Sequence, residues 1–221
     1  MVSKDSINKF TPEGEALEYK GNTIISIMND ESYPIYEVAK KVIKEASKEG
    51  FVDKLKLLPA SSMHMTIISL LRDIDRDTDK WPSYLDRNAS WEEIDKTLYE
   101  KIISEVKPLD EVYMCVQRVD DVGIKLAPYS DKDKSELTRF RNEIADKLEI
   151  KHEGHDDYQF HMSYAYRVKD YTDQEEKEVE EYSKRVSKMA VDSIGKFKIA
   201  DPKFVVFNDM LSYHDDLSRS E

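Results

Sequence analysis

Two histidines of this 221-residue chain are each followed, two positions later, by a residue with a hydroxyl group. His64 precedes Thr66, and His161 precedes Ser163. Imidazole titrates close to neutral pH, so one histidine can remove a proton from an attacking oxygen while the other delivers a proton to a leaving oxygen. Hydroxyl groups beside them can donate hydrogen bonds to the non-bridging oxygens of a phosphate. The four residues therefore predict cleavage of a phosphodiester without a metal ion.

Both pairs fall in segments with the pattern of a β-strand, Met63 to Leu71 and Tyr158 to Val168. Successive side chains of a strand point to opposite faces, so His64 and Thr66 share one face, and the second pair shares a face of its own strand. The order strand, helix, motif strand occurs twice along the chain. We therefore expect the two imidazoles to meet across one cavity.

The other periodic patterns predict the elements that must position these residues. Strands are expected over 22–28, 51–58, 112–119, 124–127 and 203–208, and helices over 34–49, 91–106, 131–148 and 173–190. Because the strands are short and several are joined by tight turns, the pattern favours an α+β fold with largely antiparallel sheets. Two similar units would give a single domain of two pseudo-symmetric lobes, about 22–106 and 110–208, with segments 1–21 and 209–221 at the periphery.

The two motifs resemble those of the two-histidine (2H) phosphoesterases, a family that includes 2′,3′-cyclic phosphodiesterases and RNA-ligase-like proteins. The family pattern is His-x-Thr/Ser-x-x-hydrophobic. The segment from His161 to Tyr166 fits at every position, whereas in the first motif Ser69 stands where a hydrophobic residue is usual. The histidines are 97 residues apart (161 minus 64), which is similar to the family spacing. The resemblance covers about residues 20 to 210.

This resemblance implies a fold whose sheets form a concave groove, with helices on the outer faces, the motifs on central strands and no metal or other cofactor required. One histidine would act as the general base toward water or a ribose hydroxyl, the other as the general acid, and Thr66 and Ser163 would bind the phosphate. Substrates across the family include 2′,3′-cyclic nucleotides, RNA ends, 2′-5′-linked oligonucleotides and cyclic oligonucleotide signals. The sequence does not select among them.

Composition excludes several other classes of function. The formal net charge of −12 repels polyanions over most of the surface, so stable binding to duplex DNA is not expected. A single cysteine, Cys115, excludes an internal disulfide framework and a cysteine-rich zinc site. No apolar run approaches the length of a membrane helix and the N-terminus lacks a signal-peptide pattern, so we expect a cytoplasmic protein without membrane association. We also expect the protein to be a monomer.

Two acidic or histidine-rich clusters could instead hold a metal ion. One comprises His152, His155, Asp156, Asp157 and His161, but its spacing fits no standard metal-binding frame, and a polar loop before a strand explains it. In the other, Asp73, Asp75, Asp77 and Asp79 alternate as in a calcium loop, but Lys80 occupies the position that requires glycine. The segment 72–90 is therefore interpreted as a solvated loop that could form a rim or lid over the groove.

Further candidates could contact a substrate. Four tyrosines could stack on a nucleotide base: Tyr36, Tyr113, Tyr164 and Tyr166. Strand alternation predicts that the last two face away from the groove. Lys125 could neutralise a phosphate, although nothing in the sequence places it there.

Two alternatives to an enzyme remain open from the sequence. The same groove could belong to a non-catalytic module that binds a nucleotide or another phosphate ligand. The two motifs could also be coincidental, in which case the histidines would lie far apart.

Overall fold

The computed structural model describes Val2 and residues 4–219, apart from the side chains of Lys4 and Asp5. Its elements follow the order α1 (Lys4–Ile7), β1 (Gly21–Ile27), α2 (Pro34–Ala46), β2 (Leu55–Leu57), β3 (His64–Arg72), α3 (Trp91–Glu105), β4 (Tyr113–Val119), β5 (Gly123–Pro128), α4 (Asp131–Leu148), β6 (His161–Ser163), β7 (Ala165–Arg167), α5 (Asp173–Ser193), β8 (Phe197–Lys198) and β9 (Lys203–Phe207). Short 3₁₀ segments cover Gly50–Lys54, Ala60–Ser62 and Asp73–Asp75. This is the mixed fold of helices and antiparallel sheets that the sequence predicts.

The strands of the described chain form three sheets in which every pair is antiparallel. Their orders are β3-β1-β9, β6-β5-β4-β8 and β2-β7. Strands β3 and β6, which carry the two motifs, are thus outer strands of separate sheets, and they lie against each other. The prediction that the motifs occupy central strands is wrong, because β3 and β6 each pair with a strand on one side only. The motifs are nevertheless interior to the molecule because the two sheet edges meet there.

The two halves of the chain exchange strands. Strand β9 comes from the second half but pairs with β1 of the first, and β2 from the first half pairs with β7 from the second. The segments 22–106 and 110–208 therefore do not form separate sheets. The contacts between the halves fix β3 relative to β6.

Two predicted strands differ from the observed ones. The strand expected over 51–58 is shortened to three residues because its beginning forms a 3₁₀ turn, which buries Phe51 against the ring edges of Tyr171 and Tyr182. The strand expected over 158–168 is divided at Tyr164, between β6 and β7. The division occurs because β6 pairs with β5, whereas β7 pairs with β2 of another sheet.

The helices begin where their capping residues predict. Ser90 and Glu93 form the predicted capping box of α3, with each side chain accepting a hydrogen bond from the other residue's backbone N–H. The Ser130 side chain accepts from the backbone N–H of Asp133 at the start of α4. Helix α2 packs on α5, and α3 packs on α4. Within the described residues, none of the helices combines the length and the apolar character needed to cross a bilayer.

The terminal segments, expected at the periphery, contribute to the packed structure. Phe10 and Tyr19 are buried. Near the other end, the Arg219 guanidinium forms a bidentate ion pair with the buried Asp95, at 2.7 and 2.9 Å. Arg219 also donates to the backbone carbonyl of Gly21, so it connects the chain end to β1.

The segment 72–90 is also held by specific contacts. The Arg76 guanidinium lies about 5 Å from the ring centres of both Trp81 and Trp91, at 5.1 and 5.0 Å. The Tyr84 hydroxyl donates to the carbonyl of Leu148 at 3.1 Å. These contacts attach the segment to α3 and to the end of α4.

Candidate active site

A cavity of about 450 Å³ is lined by all four residues that the motifs single out, His64, Thr66, His161 and Ser163. The first two project from β3 and the last two from β6. Alternation along each strand puts the histidine and the hydroxyl residue on the cavity side, while Met65 and Met162 between them are fully buried on the other side. The contact between β3 and β6 therefore brings the two predicted pairs together.

The two imidazoles are oriented in the same way. Nδ1 of His64 lies 2.8 Å from the carbonyl oxygen of Ser62, and Nδ1 of His161 lies 2.9 Å from that of Gln159. A carbonyl can only accept, so Nδ1 carries the hydrogen in both rings and donates to the residue two positions earlier. Nε2 is then the atom of each neutral ring that can accept a proton.

Both histidines favour the neutral form. Burial is the main cause that lowers the pKa of His64, to about 4; the hydrogen bond to the Ser62 carbonyl opposes this, whereas Lys9 and any positive charge on His161 lower the pKa further. Burial also lowers the pKa of His161. There Lys125 acts in the same direction, whereas the Asp120 carboxylate opposes it. An anion bound between the rings would raise both pKa values, because it would stabilise the protonated forms.

Tyrosines surround the two motifs. The Tyr158 hydroxyl hydrogen-bonds with the Thr66 side chain, and its ring centre is 6.2 Å from that of His161. Burial raises the pKa of Tyr158 to about 12, so this hydroxyl keeps its proton at neutral pH. The ring of Tyr213 lies 4.5 Å from that of His64, centre to centre. These contacts restrict the orientation of the imidazoles and of the Thr66 hydroxyl.

The cavity is cationic although the chain as a whole is acidic. Its lining includes Lys9, Arg72, Lys125 and Arg167, and among the described residues it includes a single carboxylate, Asp121. The pKa of Asp121 is raised by burial, and its carboxylate accepts a hydrogen bond from the Tyr171 hydroxyl. Local charge at this site therefore suits an anionic ligand.

Carboxylates outside the cavity pair with three of these cations, and one of the pairs joins Arg167 to Glu176 at 3.3 Å. The Arg72 guanidinium forms two 2.8 Å hydrogen bonds with Asp75, and Nζ of Lys125 lies 3.1 Å from an oxygen of Asp120. The Lys125 side chain is only 15% exposed, and its backbone lies opposite His161 in the β5–β6 pair. The strand register therefore places Lys125 beside the second histidine.

Comparison with known proteins gives the same assignment as the motifs. Residues 9–125, more than half of the chain, match the family described as 2H phosphodiesterase, domain of unknown function (DUF1868). The chain belongs to this family. The matched segment contains His64 and Thr66 and ends before the second motif.

The fold of this family member is similar to that in a crystal structure of a conserved protein of unknown function from Agrobacterium tumefaciens str. C58. The TM-score is 0.80 at 22% sequence identity, over 94% of this chain and 88% of that one. This likeness supports the arrangement of helices and sheets. No curated protein matches the chain.

Strand alternation predicts that Tyr164 and Tyr166 both face away from the site of this 2H family member, and the structure agrees for one of them. Tyr164 is fully buried behind β6, as alternation predicts. Tyr166, however, lines the cavity, so the prediction that it faces away is wrong. Alternation does not continue through Tyr164 because the chain there passes from one sheet to another.

The other two stacking candidates make contacts outside this cavity. Nζ of Lys40 lies 4.8 Å from the ring centre of Tyr36, and the Tyr113 hydroxyl donates to Glu111. Neither ring is part of the cavity lining.

Four members of the two possible metal clusters have other partners: His152, His155, Asp73 and Asp75. His152 bonds through Nε2 to the carbonyl of Leu70 at 2.6 Å, and His155 bonds through Nε2 to the Asn142 side chain at 2.9 Å. In the 72–90 segment, Asp75 is buried with Arg72, and Asp73 pairs with Arg76. No group of three or more potential ligands that could hold a metal ion occurs among the described residues.

Several site residues were missed from the sequence. They are Ser6, Lys9, Tyr19, Arg72, Tyr158, Arg167, Met210 and Tyr213. Most lie far along the chain from the motifs or in the terminal segments, where no periodic pattern relates them to a strand face. Arg72, Tyr158 and Arg167 are the exceptions, since they lie near the motif histidines. Arg72 follows His64 by eight positions (72 minus 64), an even spacing that alternation could have used, whereas the odd spacing of three between Tyr158 and His161 predicts the opposite face.

Proposed function

We propose that this 2H family member is a metal-independent phosphodiesterase that hydrolyses a cyclic nucleotide phosphodiester or one at an RNA end. The space between β3 and β6 would be the substrate groove of a two-lobed enzyme. Support comes from one observation above all: the two imidazoles line one cationic cavity and each has Nδ1 fixed by a backbone carbonyl. Each Nε2 is thereby the atom that exchanges protons with the substrate.

In this proposal His64 is the general base and His161 the general acid. The pKa of His64, about 4, keeps it neutral and able to accept a proton from water. Burial lowers the pKa of His161, the Asp120 carboxylate opposes this, and a bound phosphodiester anion would raise the pKa further and favour the protonated form. A general acid and a general base on either side of the phosphate are what such a reaction needs.

The reaction then proceeds with a balanced transfer of protons. Nε2 of His64 takes a proton from water as the water oxygen bonds to phosphorus. The bond from phosphorus to the leaving ribose oxygen breaks, and Nε2–H of His161 protonates that oxygen. The product is a phosphomonoester, and exchange with solvent returns the two histidines to their starting states.

The remaining lining residues have supporting roles in the proposal. The hydroxyls of Thr66 and Ser163 donate to non-bridging phosphate oxygens, while Lys9 and Lys125 neutralise part of the phosphate charge. Aromatic rings at the cavity, including that of Tyr166, offer faces on which a base can stack.

A panel of substrates tests the proposal. Nucleoside 2′,3′-cyclic phosphates, short RNAs with cyclic ends, 2′-5′-linked oligonucleotides and cyclic oligonucleotides are incubated with the protein in the presence and absence of EDTA. We expect turnover of at least one of them, unaffected by the chelator, and a loss of about 10²–10⁴-fold in His64→Ala and in His161→Ala.

A non-catalytic binding module would give a different result. It would bind a nucleotide stoichiometrically, and no member of the panel would be cleaved. Turnover that survives both substitutions would also contradict the proposal, provided that circular dichroism shows both variants to be folded.

A further inference from the structure

A second cavity, of about 260 Å³, adjoins the first. The two share Ser69, Arg72 and Tyr158 as lining residues. The second cavity extends from this shared wall toward α4 and the segment that follows it, where His152 and His155 lie. A ligand bound at the histidine pair could therefore reach into it.

The lining of this second cavity is rich in cations. Its charged residues are Arg72, Lys80 and Arg141 against one carboxylate, Glu153, among the described residues. Lys80 belongs to the 72–90 segment, whose contacts with α3 and α4 hold it in place. Arg72 is already paired with Asp75, so Lys80 and Arg141 are the cations of this lining that a ligand would neutralise, in a chain with a net charge of −12.

Arg141 gives the strongest indication of a ligand. It is 5% exposed, and its guanidinium donates to the backbone carbonyls of Ile67 and His155 and lies 4.4 Å from the ring centre of Tyr158. Within the part of the chain that the structure describes, no carboxylate forms a direct ion pair with it, and the Asp156 carboxylate stabilises its charge only at longer range. Burial lowers the pKa of Arg141. A buried cation without a counter-ion is unfavourable, and an anion in the cavity would offset that cost.

His152 supplies a second, independent observation. Its Nε2 atom donates to the carbonyl of Leu70, whereas its Nδ1 atom is buried and has no hydrogen-bonding partner in the described structure. Buried polar atoms are nearly always paired. Because Nε2 carries the hydrogen, Nδ1 is an acceptor in the neutral ring, and it becomes a donor to a phosphate oxygen only when a bound anion stabilises the protonated imidazole.

We infer that the second cavity binds a second phosphate of the substrate whose scissile phosphodiester lies between His64 and His161. This inference rests on the proposed function and narrows its substrate class. The preferred substrate carries at least two phosphates, either a cyclic phosphate with a 5′-phosphate on the same nucleotide or adjacent phosphates of an oligonucleotide.

Paired substrates test the inference. The kcat/KM value is compared for a nucleoside 2′,3′-cyclic phosphate with a 5′-hydroxyl, the same compound with a 5′-phosphate, and a dinucleotide ending in a cyclic phosphate. We expect one of the two-phosphate substrates to be favoured by about tenfold, the effect of one hydrogen bond to a charged group. The substrate that gains shows whether the second phosphate is terminal or internal.

Two variants test whether the second cavity causes this preference. Lys80→Gln should reduce the ratio of kcat/KM between the two-phosphate and the one-phosphate substrate by about threefold, since this ammonium is partly solvated. Arg141→Gln should reduce it to near one, with thermal unfolding used to confirm that the variant is folded. Lys96→Gln is the matched control, because Lys96 is exposed on α3 and lines neither cavity. An equal change in Lys96→Gln would contradict the inference.

A binding measurement separates this inference from the proposed function. Titration calorimetry compares a nucleoside 3′-monophosphate with a nucleoside 3′,5′-bisphosphate, using wild type and Lys80→Gln. If the chain cleaves nothing but the bisphosphate binds about tenfold more tightly, the proposed function is wrong and the second phosphate site stands. If the two ligands bind equally, the inference is overturned whether or not cleavage occurs.

Discussion

The two motifs present the same groups to the cavity from strands of very different length. His64 and Thr66 lie on β3, a nine-residue strand that is paired with β1 over most of its length. His161 and Ser163 lie on β6, which has only three residues. The same arrangement of side chains therefore does not require equivalent strands, because each Nδ1 is fixed locally by the carbonyl two residues earlier.

The residue three positions after each histidine differs between the motifs, and this difference helps to stabilise the second motif on its shorter strand. In the first motif this is Ile67, and in the second it is Tyr164, and both are fully buried. The Tyr164 hydroxyl donates to the carbonyl of Asp120 at 2.5 Å and hydrogen-bonds with Tyr182 at 3.1 Å. Polar anchoring thus stabilises the second motif where the strand is short.

The largest expected effect tests whether the two motifs are chemically complementary. His64→Gln and His161→Gln should each lower kcat by about 10²–10⁴-fold. The wild-type rate should rise as pH increases through the pKa of the base and fall as pH increases through that of the acid. His64→Gln should remove the acidic limb and His161→Gln the alkaline limb, as measured by kcat/KM against pH. Loss of the same limb in both variants would contradict the assignment of roles.

The two hydroxyls provide the next test. Thr66→Val and Ser163→Ala should each reduce kcat by about 10²-fold, the usual effect of losing one donor to a developing charge. Tyr158→Phe should reduce it by about tenfold by releasing the Thr66 hydroxyl. Because Tyr158 bonds to Thr66, the Tyr158 effect should vanish in the Thr66→Val background and persist beside Ser163→Ala. If the effects of Tyr158→Phe and Thr66→Val on kcat were additive in the double variant, the contact between the two side chains would not contribute to kcat.

Much of this architecture could be predicted from residue types and spacing. The hairpin of β4 and β5, the caps at Ser90 and Ser130, and the faces of both motif strands all follow from local patterns. The placement of each histidine beside its hydroxyl residue was predictable because strand alternation acts over only two residues.

The rest depends on contacts between distant segments. The division at Tyr164 is determined by β2, about 110 residues earlier, and no pattern near Tyr164 indicates it. Lys9 and Arg141 enter the cavities from a terminal segment and a helix, so only the assembled fold reveals them.

A smaller effect concerns stability and tests the anchoring of the second motif. Tyr164→Phe should lower the free energy of unfolding by about 1–3 kcal/mol, because it leaves the carbonyl of Asp120 and the Tyr182 hydroxyl without this partner. Ile67→Val is the matched change in the first motif and should cost about 0.5–1.5 kcal/mol. Urea denaturation measures both. A smaller loss for Tyr164→Phe than for Ile67→Val would argue against polar anchoring.

The smallest expected effect is the pH dependence of stability that arises from His64. Its pKa is lower in the folded protein than in the unfolded chain, so the unfolded state binds the proton more readily as pH falls. The contribution of His64 to the free energy of unfolding is fully present above the pKa of the unfolded chain, and it is lost as pH falls toward about 4. Between about pH 7 and pH 5.5 the loss should be about 1 kcal/mol. His64→Gln should lack this component, and an unchanged pH dependence in that variant would exclude it.

The pairing of β9 with β1 constrains how the protein can be made. Gly21 lies opposite Phe207, which follows it by 186 positions (207 minus 21). On the ribosome, the sheet that carries His64 therefore stays incomplete until β9 has emerged, and such distant pairing forms slowly. A fragment that stops before residue 203 would leave β1 without this neighbour, so the proposed activity should arise only after β9 has been synthesised.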